Sequence, residues 1–304
     1  FRASVVPVNM TAVDGGTVTV DDIEATGTNS DGDNIVLTIN LSATGTDADD
    51  NGSTVTLSDL SSDAAATFDA INVTTDADGT ASLTINDNDT TVTEIDASAS
   101  AGDFTLALTN SAAAVDITTG SGTNDFTLEA DLAHTVELAS AAGTDTFNMG
   151  ATTAAVVISN FEAGAGGDVV SIDVSAVGGA GGAQNFNSDA LTSALVVSIA
   201  TDDDGTLVDA DNTVVATDNI LALTDTFANN AAMVAAINLD AETNVGNLAN
   251  NDVLLILWTD GADSYVSWVD TSADDGASAD AGADLVQLVG VSVSDIVADN
   301  IAFV

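Results

Sequence analysis

The feature that most constrains the fold is a small turn pattern that recurs three times between residues 115 and 171. Each copy has a glycine, an acidic or amide residue two positions later, and an apolar residue two positions after that. The copies lie at residues 122–126, 143–147 and 166–170, so their leading glycines are 21 and 23 residues apart. Structural repeats of this length stack into coils that bury a shared core. The pattern therefore predicts a central segment of stacked β-coils.

The residue types in these turns suit a hard cation. Glycine reaches the backbone angles of a tight turn without a Cβ penalty, and oxygens turned inward match Ca²⁺, which takes six to eight oxygen ligands. Gly and Asp also favour ordinary turns between strands, so bare turns are the alternative. The candidate calcium ligands in this segment are Asn124, Asp125, Asp145, Gly166 and Asp168.

Residues 158–170, which read ISNFEAGAGGDVV, carry the most specific motif of the chain. This motif and the three turns resemble the RTX (repeats-in-toxin) family of secreted bacterial proteins, which includes type I secretion substrates and several surface-layer proteins. No copy holds the full nonapeptide G-G-x-G-x-D-x-U-x. The resemblance implies a calcium-binding parallel β-helix or β-roll over residues 96–180.

The charge of the chain excludes several classes of partner. Its 304 residues carry a formal net charge of −47, Arg2 is the only basic residue apart from His134, and there is no cysteine. Nucleic acids and anionic membranes are bound through Lys and Arg, so neither is an expected partner, and no apolar run is long enough to insert into a membrane. Bound divalent cations, high salt, or both must offset the self-repulsion.

Residues 1–95 alternate short apolar runs with acidic turns. Strands are expected at residues 17–20, 35–39, 54–57 and 81–85, and this spacing is typical of a β-sandwich. The segment 83–89 is similar to the last strand of Calx-β and other immunoglobulin-like bacterial surface domains. That similarity implies an N-terminal immunoglobulin-like sandwich and adds Asp87 and Asp89 as candidate calcium ligands at its end.

Residues 181–304 are expected to form a mostly β domain with one helix. Apolar positions between residues 219 and 239 favour the helix, and the runs 253–258 and 265–269 predict a hairpin. Trp258 and Trp268 are expected to pack in the core, whereas exposed tryptophans would offer a platform for a cell-surface glycan. The last 17 residues resemble the C-terminal end of type I secretion substrates, which are exported without a cleaved N-terminal signal.

Two further acidic stretches are candidate calcium loops. Asp76 and Asp78, and likewise Asp202 and Asp204, begin like a D-x-D-x-D-G loop, but neither stretch has the glutamate that an EF-hand needs at its twelfth position. A looser calcium site or a solvated turn remains open for each. His134 has no second His or Cys that would make a zinc site.

No catalytic constellation is recognisable, and the G-x-S-x-G elbow of a serine hydrolase is missing. We therefore expect a non-enzymatic, calcium-stabilised structural subunit that associates with its own copies in an extracellular surface layer or filament. An adhesin, or the tail region of a larger secreted RTX protein, is the alternative. An extracellular enzyme of unrecognised type is the third class.

Overall fold

The structure is a computed structural model, and it describes the chain in segments. The described residues are 5–25, 35–44, 52–62, 66–86, 92–111, 113–128, 132–139, 143–149, 154–173, 195–201, 207–208, 220–239, 253–270 and 283–304.

The described residues are largely β, with one α-helix among them, and the chain divides into two compact units, Phe1–Asn148 and Met149–Val304. In the first unit, the chain passes repeatedly between two large sheets, and β3 and β6 form a small third sheet. Its strands are β1 (Val5–Val13), β2 (Thr17–Val20), β3 (Ile23–Ala25), β4 (Ile35–Thr44), β5 (Thr54–Leu57), β6 (Leu60–Ser62), β7 (Ala66–Thr75), β8 (Thr80–Ile85), β9 (Glu94–Asp96), β10 (Asp103–Leu108), β11 (Asp116–Thr118), β12 (Asn124–Leu128), β13 (Thr135–Glu137) and β14 (Thr146–Met149).

Each strand of the first unit lies beside the strand that occupies the same place one coil later. The first sheet has the order β1-β4-β7-β9-β11-β13, the second has the order β2-β5-β8-β10-β12-β14, and β3 pairs with β6. The pairs β1–β4, β4–β7, β2–β5, β5–β8, β8–β10 and β10–β12 are all parallel. We call one passage of the chain through both sheets a coil, and the first coil contains β1, β2 and β3.

The core of the first unit lies between the two sheets. Strand residues alternate between buried positions and half-buried or exposed ones, as in β8 and β10, because successive side chains of a strand point to opposite faces. Leu83 and Leu106 are fully buried, and each contributes roughly 1.5–3 kcal/mol through burial. Phe126 stacks on Phe147 at 5.1 Å between ring centroids and meets Phe104 edge-on at 6.4 Å.

The strands of the N-terminal region do not pair as expected for an immunoglobulin-like sandwich over residues 1–95. Such sandwiches are antiparallel, whereas these pairs are parallel, and β8 pairs with β10, which lies beyond residue 95. Alternating strands with Gly/Asp turns are common to both architectures. The difference lies in whether a strand pairs with its successor or with a strand one coil away, which alternation does not encode.

The second unit contains a mixed sheet of order β15-β22-β21-β20-β19-β17-β18 and a parallel pair of β16 with β23. In the mixed sheet, β15–β22, β17–β19 and β19–β20 are parallel, and β17–β18, β20–β21 and β21–β22 are antiparallel. Its elements are β15 (Val156–Ser159), β16 (Val169–Ile172), β17 (Leu195–Thr201), β18 (Leu207–Val208), β19 (Ile220–Thr226), α1 (Asn230–Leu239), β20 (Val253–Thr259), β21 (Ser264–Asp270), β22 (Asp284–Val289) and β23 (Ile301–Phe303).

The predicted hairpin is confirmed, with Thr259 opposite Ser264 across the turn between β20 and β21. The predicted helix over residues 219–239 is right only in its second half. Residues 220–226 form β19 because their continuous apolar run is buried between β17 and β20. The helix begins after Asn229, whose Oδ1 accepts a hydrogen bond from the N–H of Ala232 at 2.9 Å and caps it.

Helix α1 and the neighbouring strands enclose the second core. Met233 and Ile237 of the helix are buried against Trp258 of β20, together with Leu223, Phe227, Val234, Ile256 and Val269. Trp258 is 1% exposed, and its Nε1 donates to Ser267 Oγ at 2.7 Å. The expectation that Trp258 packs in the core is confirmed, and this side chain offers no exposed face to a glycan. Trp268 is half-buried on β21.

Candidate cation sites in the turns of the coils

In the second sheet, the inward-facing residues that share one register on neighbouring strands form a column, and this column changes from apolar to polar along the first unit. Val55, Ala81 and Phe104 share a register on β5, β8 and β10, and Asn124 follows them on β12. Asn124 is 1% exposed, and Asp145, immediately before β14, is 0% exposed. Asn124 therefore occupies a core position that holds hydrophobic residues in earlier coils, and Asp145 is buried as well.

Asn124 and Asp145 touch each other directly. Asp145 Oδ1 accepts hydrogen bonds from the backbone N–H of Asn124 at 2.7 Å and from its Nδ2 at 2.8 Å. Nδ2 also donates to the carbonyl oxygen of Gly122 at 3.1 Å. Asn124 Oδ1 is buried and has no hydrogen-bond partner among the described residues, and Asp145 Oδ2 is buried as well. The pair thus concentrates oxygens beneath the turn at Gly122.

Asp125, the neighbour of Asn124, points to the other side of the sheet. It is exposed, and its Oδ1 accepts a hydrogen bond from Asn148 Nδ2 at 2.6 Å. The alternation of β12 separates the two predicted ligands, because consecutive residues of a strand face opposite sides. The structure therefore brings Asn124 and Asp145 together and leaves Asp125 apart from them.

Asp168 holds a loop of the second unit in place. The side chain is 2% exposed, and its Oδ2 accepts from the N–H of Glu162 at 2.7 Å, while its own N–H donates to the carbonyl of Glu162 at 2.8 Å. Gly166 lies at the tip with φ of 78°, a left-handed conformation that favours glycine. The predicted turn geometry is thus present at Gly166.

Asn300, which the sequence did not single out, fills the inside of this loop. Its Nδ2 donates to the carbonyl oxygens of Gly164 at 3.0 Å and Asp168 at 2.8 Å, and its Oδ1 accepts from the N–H of Gly164 at 2.9 Å. An amide group thereby satisfies carbonyls that would otherwise be available to a cation. No repeated spacing marks Asn300, because it lies 136 residues from Gly164.

The predicted loop at Asp76 and Asp78 is a tight turn between β7 and β8. The N–H of Gly79 donates to the carbonyl oxygen of Asp76 at 3.0 Å, and the N–H of Asp76 donates to Ala43 at 3.1 Å. Asp76 is half-buried and Asp78 is exposed, so the two carboxylates are in different environments. The predicted ligands Asp87, Asp89, Asp202 and Asp204 lie outside the described residues.

His134 is fully buried beside β13, and its Nδ1 accepts a hydrogen bond from the N–H of Val115 at 3.1 Å. Within the described segments, no group of three or more His, Cys, Asp or Glu side chains is arranged to hold a metal ion. Calcium sites also use amide and carbonyl oxygens, and Asn124 has its own amide Oδ1 close to the carbonyl oxygen of Gly122 and the carboxylate of Asp145.

The hairpin of the second unit carries a separate polar cluster. Asp260 Oδ1 accepts from the N–H groups of Ala262 and Asp263, and its Oδ2 accepts from the hydroxyl of Tyr265 at 2.9 Å. The backbone hydrogen bond from Asp263, followed by that from Ala262, lowers the pKa of Asp260. Burial and then the hydrogen bond to Asp260 raise the pKa of Tyr265 to about 12.

Comparisons with protein-family models, curated proteins and solved structures found no match to this chain. None of the helical residues that the structure describes forms a segment with the length and hydropathy of a membrane span.

Proposed function

We propose that this protein is a calcium-stabilised structural subunit of an extracellular bacterial assembly, of RTX-like type, that associates with copies of itself in a surface layer or filament. Its coils would act as a β-roll whose inner oxygens hold Ca²⁺. Export would follow the type I route, and the subunit would work at the cell surface without catalysing a reaction.

The buried carboxylate of Asp145 carries this proposal. Moving a carboxylate into an apolar core is costly unless a positive charge or a proton accompanies it. The chain has one Lys or Arg residue in total, and beside this carboxylate Asn124 Oδ1 is a buried acceptor without a hydrogen-bond partner among the described residues. A divalent cation would add positive charge next to these two buried side chains.

Asn124 and Asp145 would supply side-chain oxygens to the ion. Calcium takes amide and carboxylate oxygens at about 2.3–2.6 Å, and Asn124 Oδ1 is a buried acceptor without a hydrogen-bond partner among the described residues. Bound calcium would neutralise Asp145 and tie two successive coils together. Because binding to the folded form alone shifts the folding equilibrium, the ion would also stabilise the first unit.

Calorimetric titration of Ca²⁺ into the chelator-stripped chain tests the site. Asp145→Asn removes the charged ligand with little change of shape, and we expect it to abolish one site or weaken it at least about tenfold, since ligand charge sets calcium affinity. Asp116→Asn is the matched control. This exposed carboxylate on β11 accepts a hydrogen bond from Thr135 and lies away from the column.

Assembly is tested on the same proteins by sedimentation and negative-stain microscopy. We expect ordered polymers in Ca²⁺ that disassemble in EGTA. Equal calcium isotherms for wild type, Asp145→Asn and Asp116→Asn would refute the site. Calcium binding by a chain that stays monomeric in all conditions would favour the adhesin or tail-region alternative.

A further inference from the structure

His134 connects two successive coils of the first unit. It is fully buried and immediately precedes β13, and its Nδ1 accepts a hydrogen bond from the backbone N–H of Val115, just before β11, at 3.1 Å. The carbonyl oxygen of Val115 accepts a hydrogen bond from the N–H of Thr135, also at 3.1 Å. Both polar groups of the Val115 backbone are therefore bound by the following coil, one by a side chain and one by the backbone.

The hydrogen bond from Val115 exists in only one protonation state of the imidazole. A ring nitrogen that accepts a hydrogen bond carries no proton, so His134 is neutral and has its proton on Nε2. Protonation would turn Nδ1 into a second donor that faces the N–H of Val115, and it would place a positive charge in a buried position. Both changes oppose the folded state, because a buried N–H that loses its acceptor costs free energy.

The carboxylates of the neighbouring strands point away from this hydrogen bond. Those on β11, β12 and β13 all lie at exposed positions: Asp116, Asp125 and Glu137. Asp145 is buried, but it follows β13, whereas His134 precedes that strand, and it contacts Asn124. β14 and β15 contain no ionisable residue, and Glu129 and Asp131 lie outside the described residues. The state of Nδ1 is fixed by the N–H that it binds and does not depend on these groups.

His134 is also the one side chain of the chain whose ordinary titration falls in mildly acidic solution. The chain has one histidine and no cysteine, and a histidine in water takes up a proton near pH 6.5, whereas Asp and Glu do so near 4. Between about pH 7.5 and 5.5, the unfolded chain therefore gains a proton that the folded chain does not accept. Because the unfolded state binds more protons, stability falls as the pH is lowered through this range.

We infer that His134 is an acid-sensitive connection between the coils of β11 and β13, which holds them together in neutral solution and releases them in mild acid. Release frees the N–H of Val115 and loosens the same coils that carry Asn124 and Asp145. The connection goes beyond the proposed function and does not rest on it, because it needs neither a bound cation nor a second copy of the chain.

Nitrogen NMR of the imidazole tests the protonation state in the wild-type chain with calcium present. Because the chain has one histidine, the ring signals belong to His134 without further assignment. We expect the folded chain to keep a proton-free Nδ1 and a protonated Nε2 down to about pH 5.5, and the chain in urea to titrate near pH 6.5. A folded chain whose imidazole titrates like the denatured one, or carries its proton on Nδ1, would overturn the inference.

Urea unfolding of wild type and His134→Asn measures the effect on stability. Asparagine keeps a side-chain acceptor for the N–H of Val115 but does not titrate. Between about pH 7.5 and 5.5, we expect the ratio of folded to unfolded chain to fall about tenfold more for wild type than for His134→Asn. Both proteins are measured in EGTA with molar NaCl, so that calcium is absent and the surface carboxylates are screened equally. Equal pH dependence of the two proteins would show that His134 is not the connection.

Discussion

At the scale of single residues, the same type of position serves opposite purposes in different coils. Phe104 and Asn124 are neighbours at one register of the inner column, yet one buries an aromatic ring and the other an amide. A buried amide needs partners for its polar atoms, and Asn124 finds them in Asp145 and Gly122. The chemistry of the candidate site thus depends on two successive coils rather than on one turn.

The only tyrosine of the chain gives a direct residue-scale prediction. Tyr265 has a pKa raised from 10.0 to about 12, first by burial and then by its hydrogen bond to Asp260. Tyrosinate absorbance should therefore titrate near pH 12 in the folded chain and near 10 in denaturant. Because the folded pKa is the higher one, the stabilising contribution is complete below pH 10 and is lost as the pH rises through 12.

Asp260→Asn should lower the pKa of Tyr265 part of the way toward 10.0, since burial remains and the carboxylate charge is removed. Asp295→Asn, an exposed change elsewhere in the second unit, is the control and should leave the titration where it is. A folded wild-type titration at the denatured position would contradict the hydrogen bond.

At the scale of elements, stacked turns explain most of the glycines in the repeated pattern. The sequence argument assigned them to unusual backbone angles, and this holds for Gly164 and Gly166, which have positive φ. Gly122 instead lies where a Cβ would come within 2.1 Å of the backbone oxygen of Gly102, one coil earlier. A Cβ on Gly120 would meet Ser100 O at 1.8 Å. Close approach between coils is the constraint there.

Two alanine substitutions distinguish the two reasons for a glycine, which are close approach of the neighbouring coil and a left-handed backbone conformation. Gly122→Ala forces backbone of adjacent turns apart and should cost about 3 kcal/mol or more. Gly166→Ala has open space around its Cβ and should cost only about 1–2 kcal/mol, for the left-handed conformation. Urea unfolding, followed for each variant in EGTA to remove any effect of calcium, measures both. Equal costs would mean that the turns can separate without loss.

At the scale of the whole molecule, the large negative net charge is the main factor that opposes a compact fold. A formal charge of −47 on 304 residues leaves almost no opportunity for internal ion pairs, and self-repulsion destabilises a compact state. Screening by salt acts on all surface carboxylates, whereas a bound cation acts at particular sites. The two effects can be separated experimentally.

We expect the chain to expand or lose β-structure in EGTA at low ionic strength. Calcium should restore it at millimolar concentration, because it binds the folded state, and NaCl at the same ionic strength should restore less. Circular dichroism and small-angle scattering measure the change. Identical spectra in EGTA and calcium at low salt would contradict the expectation, and full recovery with NaCl alone would assign the effect to screening.

The sequence alone determined the strand-rich character of the chain and predicted Asn124, Asp145 and Asp168 as calcium ligands in turns. That these three side chains are buried is a finding of the structure. Alternating apolar residues and the spacing of Gly-x-Asp turns are local signals, and burial of one strand face follows from them. The hairpin at residues 259–264 followed from two apolar strands joined by an Asp-Gly turn. That these sites bind calcium remains a prediction.

Only the tertiary structure decided which strands pair and which polar groups meet. β7 pairs with β4 and β9 rather than forming a sandwich with its successor, because parallel pairing depends on coil length and not on alternation within a strand. The contacts of Asn300 with a loop 136 residues away and the hydrogen bonds that join Asn72, Asn40 and Asn9 likewise depend on register. The alternation in the sequence predicts on which face of the sheet each residue lies. Which residue lies next to it on the neighbouring strand is decided only when the coils stack.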